Sequence, residues 1–174
     1  MKVLKFGGSS VANSENIQKV LAIVEQESKN QKVAVIVSAF GKTTDQLLSA
    51  ANKALKNITE AKETLETIKK LHEEVINDLI TTHKKEVSEE VSELFKRLLS
   101  IYEGLYLLKE LSDKTVAKIA SFGERLSSLI IANAAKELFD ATHEESRKLI
   151  TTNNDYLNAQ VNFKITDKNI TSFF

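Results

Sequence analysis

The sequence contains no cysteine, no proline and no tryptophan, and only 5 glycines among 174 residues. Without cysteine, the chain can form no disulfide, no thiolate metal site and no cysteine nucleophile. An average composition would supply roughly nine prolines, so their absence favours long uninterrupted helices and argues against a proline-rich linker. Net charge is also lacking, since 24 basic residues balance 24 acidic ones. No general attraction to nucleic acid or to an anionic membrane is therefore expected.

Long hydrophobic runs are missing too. No apolar run approaches the ~18 residues that would cross a bilayer, and no secretory signal is visible behind Met1-Lys2. The sequence therefore predicts a cytoplasmic protein without a membrane partner. Hydrophobic residues make up 42% and charged residues 28%, which is ordinary for a globular protein. The length suits one compact domain or one lobe of a larger domain.

The most informative segment is Lys5–Ser10, which reads Lys-Phe-Gly-Gly-Ser-Ser behind a short apolar start. We interpret it as a strand that ends in a glycine pair and leads into a helix. Glycine amides and a helix N-terminus attract phosphate oxygens, and a lysine adds positive charge. The spacing is not that of the P-loop, whose lysine follows its glycines, nor of the three-glycine dinucleotide motif. By itself the pattern fits a phosphate site or an ordinary tight turn.

A strand, a helix and a second strand are predicted within the first 40 residues. Asn13 or Ser14 can cap a helix whose apolar residues recur with helical spacing: Ile17, Val20, Leu21 and Val24. Val33–Val37 is an apolar run typical of a parallel strand covered on both faces. The order predicts a right-handed βαβ unit and an α/β fold. A second small-residue loop, 38–45, follows the second strand, and because ligands bind at the carboxyl ends of such strands, both loops predict one site.

The middle of the chain is predicted to be helical. Residues 57–112 carry two apolar stripes separated by charged residues, which indicates a helical hairpin or small bundle inserted between sheet elements. A further helix is predicted over 116–138, with Gly123 in its interior. A glycine there costs ~1 kcal/mol relative to alanine. It therefore needs a reason, such as the close approach of a ligand or of the first strand.

The last part of the chain predicts short strands at 141–145, 149–151 and 161–165, and a final helix capped by Thr166. The histidines are spaced too far apart for a metal site, so no metal ligands are predicted; they are His72, His83 and His143.

Three motifs in order resemble the start of an aspartate kinase, a member of the amino-acid kinase superfamily. They are Lys5–Ser10, Val37–Asp45 and Ser121–Arg125. The segment Glu145–Thr152 is similar to the family's Asp-Ala-Arg-x-x-Ile-x-Thr segment, with glutamate in place of the usual aspartate. The resemblance covers essentially the whole chain. It implies an open, mainly parallel sheet with flanking helices and a helical insertion at about 57–112.

The resemblance also implies the reaction, which is ATP-dependent phosphorylation of the L-aspartate side-chain carboxylate to 4-phospho-L-aspartate. This product serves lysine, threonine and methionine biosynthesis. The carboxylate, with a reference pKa of ~3.9, is already ionised at pH 7 and needs no general base. Catalysis must then come from positioning and from neutralisation of charge.

Site residues follow from the same resemblance. Lys5 would be the catalytic residue, and the ATP phosphates would be bound by the first motif: Lys5, Phe6, Gly7, Gly8 and Ser9. Thr44 would contact the bound aspartate, with Ser38 beside it. Glu124 would pair with the substrate α-ammonium group, and Gly123 would clear space for the small ligand.

The family's catalytic domain continues further, through a Gly-Arg-Gly-Gly-Ser-Asp motif, an adenine- and Mg2+-binding lobe and regulatory ACT domains. None of these is in the sequence. The resemblance therefore implies that residues 1–174 are the N-terminal lobe of the catalytic domain, inactive by itself. ATP with Mg2+ would be bound mainly by the missing lobe. L-aspartate and ATP are the expected partners, nucleic acid is not, and the parent enzyme is expected to be a homo-oligomer.

Two alternatives stay open. The parent protein could phosphorylate another small acidic amino acid, such as glutamate or N-acetylglutamate. The chain could instead be a non-catalytic interaction fragment whose working part is the helical region 57–112. The sequence does not decide between these, nor whether the parent is fused to a homoserine dehydrogenase or which feedback inhibitor it takes.

Overall fold

Two short parallel strands, seven α-helices and one short 3-10 helix (Gly8–Val11) make up the fold, and the computed structural model describes residues 1–174. Strand β1 (Lys2–Phe6) pairs in parallel with β2 (Val33–Val37), with Lys2 opposite Val33 and Phe6 opposite Val37. Helix α1 (Ser14–Ser28) connects the two strands. The predicted βαβ unit is therefore confirmed.

Helix α1 begins where the sequence predicted. The Asn13 side chain accepts a hydrogen bond from the backbone N–H of Asn16 at 2.9 Å, which satisfies one of the free donors at the helix start. The apolar stripe of the helix is buried in the core, as its spacing predicted: Ile17, Val20, Leu21 and Val24.

The sheet is covered on one face only. Leu4 and Phe6 of β1 and Val35 and Val37 of β2 pack against the hydrophobic core. The alternating residues face outward, and Val3 is 61% exposed and Ile36 49% exposed. The prediction that β2 is covered on both faces is therefore wrong for this chain, because its core lies against a single face of the sheet.

Four long helices form the bulk of the core: α2 (Thr43–Ala54), α3 (Ile58–Leu79), α4 (Lys84–Leu108) and α5 (Asp113–Lys136). The hairpin of α3 and α4 confirms the predicted helical insertion, and α5 confirms the predicted helix at 116–138. Tyr102 of α4 donates its buried hydroxyl to the Leu47 carbonyl of α2 at 2.9 Å, and burial raises the pKa of Tyr102. The result is an α/β fold that is mostly helical, with a small parallel sheet.

One carboxylate joins the end of α5 to the turn between α3 and α4. Glu137 accepts hydrogen bonds from the Thr81 hydroxyl and from the Thr82 backbone N–H, the latter at 2.8 Å. These hydrogen bonds lower the pKa of Glu137 to about 2, because they stabilise its ionised form.

The end of the chain differs from the prediction. Residues 141–165 form no strand beyond one antiparallel bridge between Thr152 and Val161; helices α6 (Ser146–Leu149) and α7 (Phe163–Phe173) stand there instead. The strands predicted at 141–145, 149–151 and 161–165 are wrong, because β-branched residues favour a strand only where a neighbour can pair with it.

The predicted cap of the last helix is also wrong. Asn162 caps α7, accepting from the Ile165 N–H at 3.2 Å. Thr166 lies buried inside the helix, where its hydroxyl accepts from the Thr151 N–H at 3.0 Å. None of the helices has the combination of length and apolar character that a membrane crossing requires.

Candidate functional site

The loops that follow the two strands meet at the carboxyl edge of the sheet. The Ser38 N–H donates to the Phe6 carbonyl at 3.1 Å, and the Gly41 N–H donates to the Gly8 carbonyl at 3.1 Å. The first and second motifs are therefore joined by backbone hydrogen bonds, as expected for neighbouring parallel strands.

The two glycines of the first motif, Gly7 and Gly8, differ in the space that surrounds them. A Cβ at Gly8 would lie 2.9 Å from the Gly41 carbonyl oxygen and 3.1 Å from that of Ala39, so the second loop leaves it no room. A Cβ at Gly7 would meet nothing within 4 Å, and the backbone there is extended, with φ −78°. Packing within the chain does not explain Gly7, and the space beside it is open to a ligand.

The third motif packs onto the second. A Cβ at Gly123 would lie 2.7 Å from the Ala39 Cβ and 2.9 Å from the Thr44 Oγ1. The hydroxyl of Ser127, one turn later in α5, donates to the Ser38 carbonyl at 2.8 Å. The glycine therefore allows α5 to approach the second loop. The expectations that Gly123 clears space for a ligand or faces the first strand are wrong, because Ala39 and Thr44 occupy that space.

Replacing Gly123 with alanine should destabilise the fold by about 1–3 kcal/mol, because the added methyl overpacks a site with no free volume. Chemical denaturation of the full chain measures the change. Gly104→Ala in α4 is the matched control, since its Cβ would meet nothing within 4 Å. That variant should gain roughly 0.5–1 kcal/mol from helix propensity. Equal effects of the two substitutions would contradict the packing role of Gly123.

The predicted site residues lie around this junction. Ser38 and Thr44 are half-buried, whereas Lys5 and Glu124 are exposed. Lys5 stands opposite Ile36 on the outer face of the sheet. Its ammonium forms no ion pair or hydrogen bond within the chain, so no such contact joins it to Thr44 or Glu124.

The hydroxyl groups at the junction are available for bonding. Ser9 and Ser38 accept hydrogen bonds through their backbone carbonyls, from Asn16 and Ser127 respectively. The side-chain hydroxyls of Ser9, Ser38 and Thr44 have no hydrogen-bond partner in the chain. The junction thus offers glycine amides and free hydroxyl groups at the carboxyl end of the sheet.

Comparison with known proteins identifies the family. The sequence matches the amino acid kinase family over residues 1–162. The chain belongs to this family. It is 30% identical to the bifunctional aspartokinase/homoserine dehydrogenase of Buchnera aphidicola, over 98% of this chain and 21% of the relative. It is 34% identical to an aspartokinase of Chlamydia pneumoniae, over 94% of this chain and 34% of the relative. These matches confirm the resemblance to aspartate kinases.

The fold of this family member matches part of a solved aspartokinase. The structure of Escherichia coli aspartokinase III in complex with aspartate and ADP superposes with a TM-score of 0.88, at 24% sequence identity. The match covers 99% of this chain and 37% of the other. The chain thus spans between about a fifth and two fifths of the length of the proteins it matches.

Sequence reasoning missed two residues that support the second loop. Ser127 is fully buried, and its position four residues after Gly123, on the same helix face, was the available signal. His72 of α3 is also fully buried. It stacks on Phe40 of the second loop, with ring centroids 4.9 Å apart. Its Nδ1 donates to the Ile68 carbonyl at 2.7 Å, and its Nε2 has no partner.

Proposed function

We propose that the chain forms the aspartate- and phosphate-binding part of an aspartate kinase. The observation that carries this proposal is the junction of the three motifs, where both strand-end loops and α5 meet through Gly8, Gly123 and Ser127. The names of the relatives agree with it. The proposed reaction transfers the γ-phosphoryl group of ATP to the side-chain carboxylate of L-aspartate.

The proposed chemistry needs no proton transfer. A carboxylate oxygen of aspartate forms a bond to the γ-phosphorus, the bond to the bridging oxygen of ADP breaks, and the acyl phosphate and ADP result. Because both reactants are anionic, the barrier is lowered by positioning and by cations near the transferred group. Lys5, two residues before Gly7, supplies such a cation. The open space beside Gly7 lets phosphate oxygens approach the backbone.

The aspartate would lie beside the second loop and α5. The free hydroxyl groups of Ser38 and Thr44 can donate to carboxylate oxygens. The exposed carboxylate of Glu124 can pair with the α-ammonium group. Ser127 holds this turn of α5 to the Ser38 carbonyl, which keeps Glu124 close to the loop.

ATP is proposed to bind together with Mg2+. The structure places no group of three or more metal-binding side chains together. None of these residues is assigned as a magnesium ligand. We propose that Mg2+ enters with ATP and is held mainly outside these residues. Homo-oligomeric assembly and a cytoplasmic location belong to the same proposal.

Glu124→Gln should raise the KM for aspartate by about 10–100-fold with a smaller effect on kcat, since a charge-assisted hydrogen bond contributes about 1.5–3 kcal/mol. The assay traps the acyl phosphate with hydroxylamine, using the protein expressed from its natural reading frame. Glu110→Gln is the control, because Glu110 is equally exposed and lies outside the junction. An unchanged KM in the Glu124 variant would remove this residue from the substrate site.

The same assay separates the alternatives. Turnover of glutamate or N-acetylglutamate in preference to aspartate would change the proposed substrate. A purely non-catalytic role for the helical insertion is not favoured, because the apolar stripes of α3 and α4 are buried in the core. Strongly exposed apolar residues in this hairpin are confined to the end of α4, where Leu107 is 79% exposed and Leu108 77% exposed.

A further inference from the structure

We propose that a basic cavity between α4, α5 and α6 binds a small diphosphate-type anion. The cavity has a volume of about 430 Å³. All 3 arginines of the chain line it, together with one lysine: Arg97 of α4, Lys118 and Arg125 of α5, and Arg147 of α6. The proposal does not depend on the proposed kinase function. Arg125 is the last residue of the third motif, but none of the four side chains is among those proposed to bind aspartate or ATP.

The positive charge in the cavity is only partly neutralised. Glu145 accepts from the Arg125 Nε at 2.9 Å and also pairs with Arg147. Arg97 and Lys118 form no ion pair in the chain. One carboxylate therefore stands against four cations, and the excess charge favours an anionic ligand.

Arg125 is held in place before any ligand binds. Its side chain is only 12% exposed, and its guanidinium lies 4.4 Å from the centre of the Phe122 ring. Because the Arg125 Nε donates to Glu145, the two terminal amino groups of Arg125 remain free to donate to a ligand. A guanidinium oriented in this way matches pairs of phosphate oxygens.

A neighbouring cavity of about 300 Å³ limits where the anion can lie. It shares Arg97 and Arg125 but is also lined by Glu90, Glu93 and Glu145. Glu93 pairs with Lys96, and neither Glu90 nor Glu93 forms an ion pair with Arg97. Repulsion from Glu90 and Glu93 restricts an anion to the side of Lys118 and Arg147.

The number and spread of the cations favour two linked phosphate groups over one. The four cations come from three helices, so they reach the cavity from different sides. A diphosphate carries more charge and spans a greater length within the available volume. Its source is either free pyrophosphate or the diphosphate of a nucleotide such as ADP.

Titration calorimetry of the full chain with sodium pyrophosphate, at constant ionic strength, tests the proposal. Arg97→Ala and Lys118→Ala should each weaken binding by about 10-fold or more, because each removes a charge-assisted hydrogen bond. Both side chains are exposed, so folding should be retained, and circular dichroism checks it. Arg97→Lys should bind pyrophosphate better than Arg97→Ala but less tightly than the wild type. Lysine keeps the positive charge but lacks the paired N–H donors of the guanidinium group.

One variant serves as the control. Lys70→Ala removes the same charge from an exposed position on α3, outside the cavity, and should leave binding unchanged. If ADP competes with pyrophosphate for the wild-type chain and this competition is lost in Arg97→Ala, the source is a nucleotide diphosphate. If ADP does not compete with pyrophosphate, the source is free diphosphate. The proposal is overturned if pyrophosphate does not bind, or if Lys70→Ala weakens binding as much as Arg97→Ala does.

Discussion

Lys5→Ala is expected to lower the kcat of aspartate phosphorylation by about 10²–10³-fold while leaving the fold intact. Removing one preorganised charge from a transition state typically has this effect. Lys5 is exposed and has no partner within the chain, so its loss should cost little stability. Acyl phosphate trapping gives the rate, and thermal unfolding gives the stability.

The control is Lys32→Ala, which removes the same charge from the same sheet. Lys32 precedes β2 at the opposite end, where its carbonyl accepts from the Lys2 N–H at 2.9 Å, and its side chain is exposed and unpaired. This variant should keep near-normal turnover. Near-normal turnover in Lys5→Ala as well would remove Lys5 from the catalytic role that the family resemblance implies.

Acidification from pH 6.5 towards pH 4 should destabilise the folded chain through His72. Burial lowers the pKa of His72 from its ordinary value of 6.5 to about 4. In this window the unfolded chain binds a proton that the folded chain excludes. Stability is therefore complete above pH 6.5 and falls by up to about 1.4 kcal/mol per pH unit below it, or by about 3 kcal/mol in all.

Urea denaturation at several pH values between 7.5 and 5 measures this slope. Lowered carboxylate pKa values, such as that of Glu137, act at more acidic pH and do not dominate there. Burial also lowers the pKa of His143, which adds in the same direction. His72→Leu should remove most of the slope, and His83→Gln, at the exposed start of α4, should retain it. Equal slopes in wild type and His72→Leu would refute the assignment.

The local predictions succeeded where one short segment contained the whole signal. The cap at Asn13 and the apolar spacing behind it specify α1 without reference to the rest of the chain. The apolar run Val33–Val37 likewise specified β2. The prediction failed at 161–165, where the residues favour a strand but no partner strand lies beside them. A helix capped by Asn162 forms there instead.

The sequence predicted which motifs form the candidate site, but not how they pack against one another. The order of the three motifs indicated the family, and the βαβ unit placed two of them at one edge of the sheet. The sequence could not show that Gly8 and Gly123 are glycines for packing while Gly7 faces open space. That distinction depends on distances between backbone segments of different loops and helices, which no local pattern contains.

By itself, the sequence determined the parallel strand pair, the long helices and the kinship with aspartate kinases, because periodicity, capping and glycine motifs act over a few neighbouring residues. Tertiary structure alone decided that His72 lies under the second loop and that the arginines of three separate helices line one cavity. Those arrangements follow from how the helices pack against one another. Packing depends on side-chain contacts between segments that are far apart in the chain.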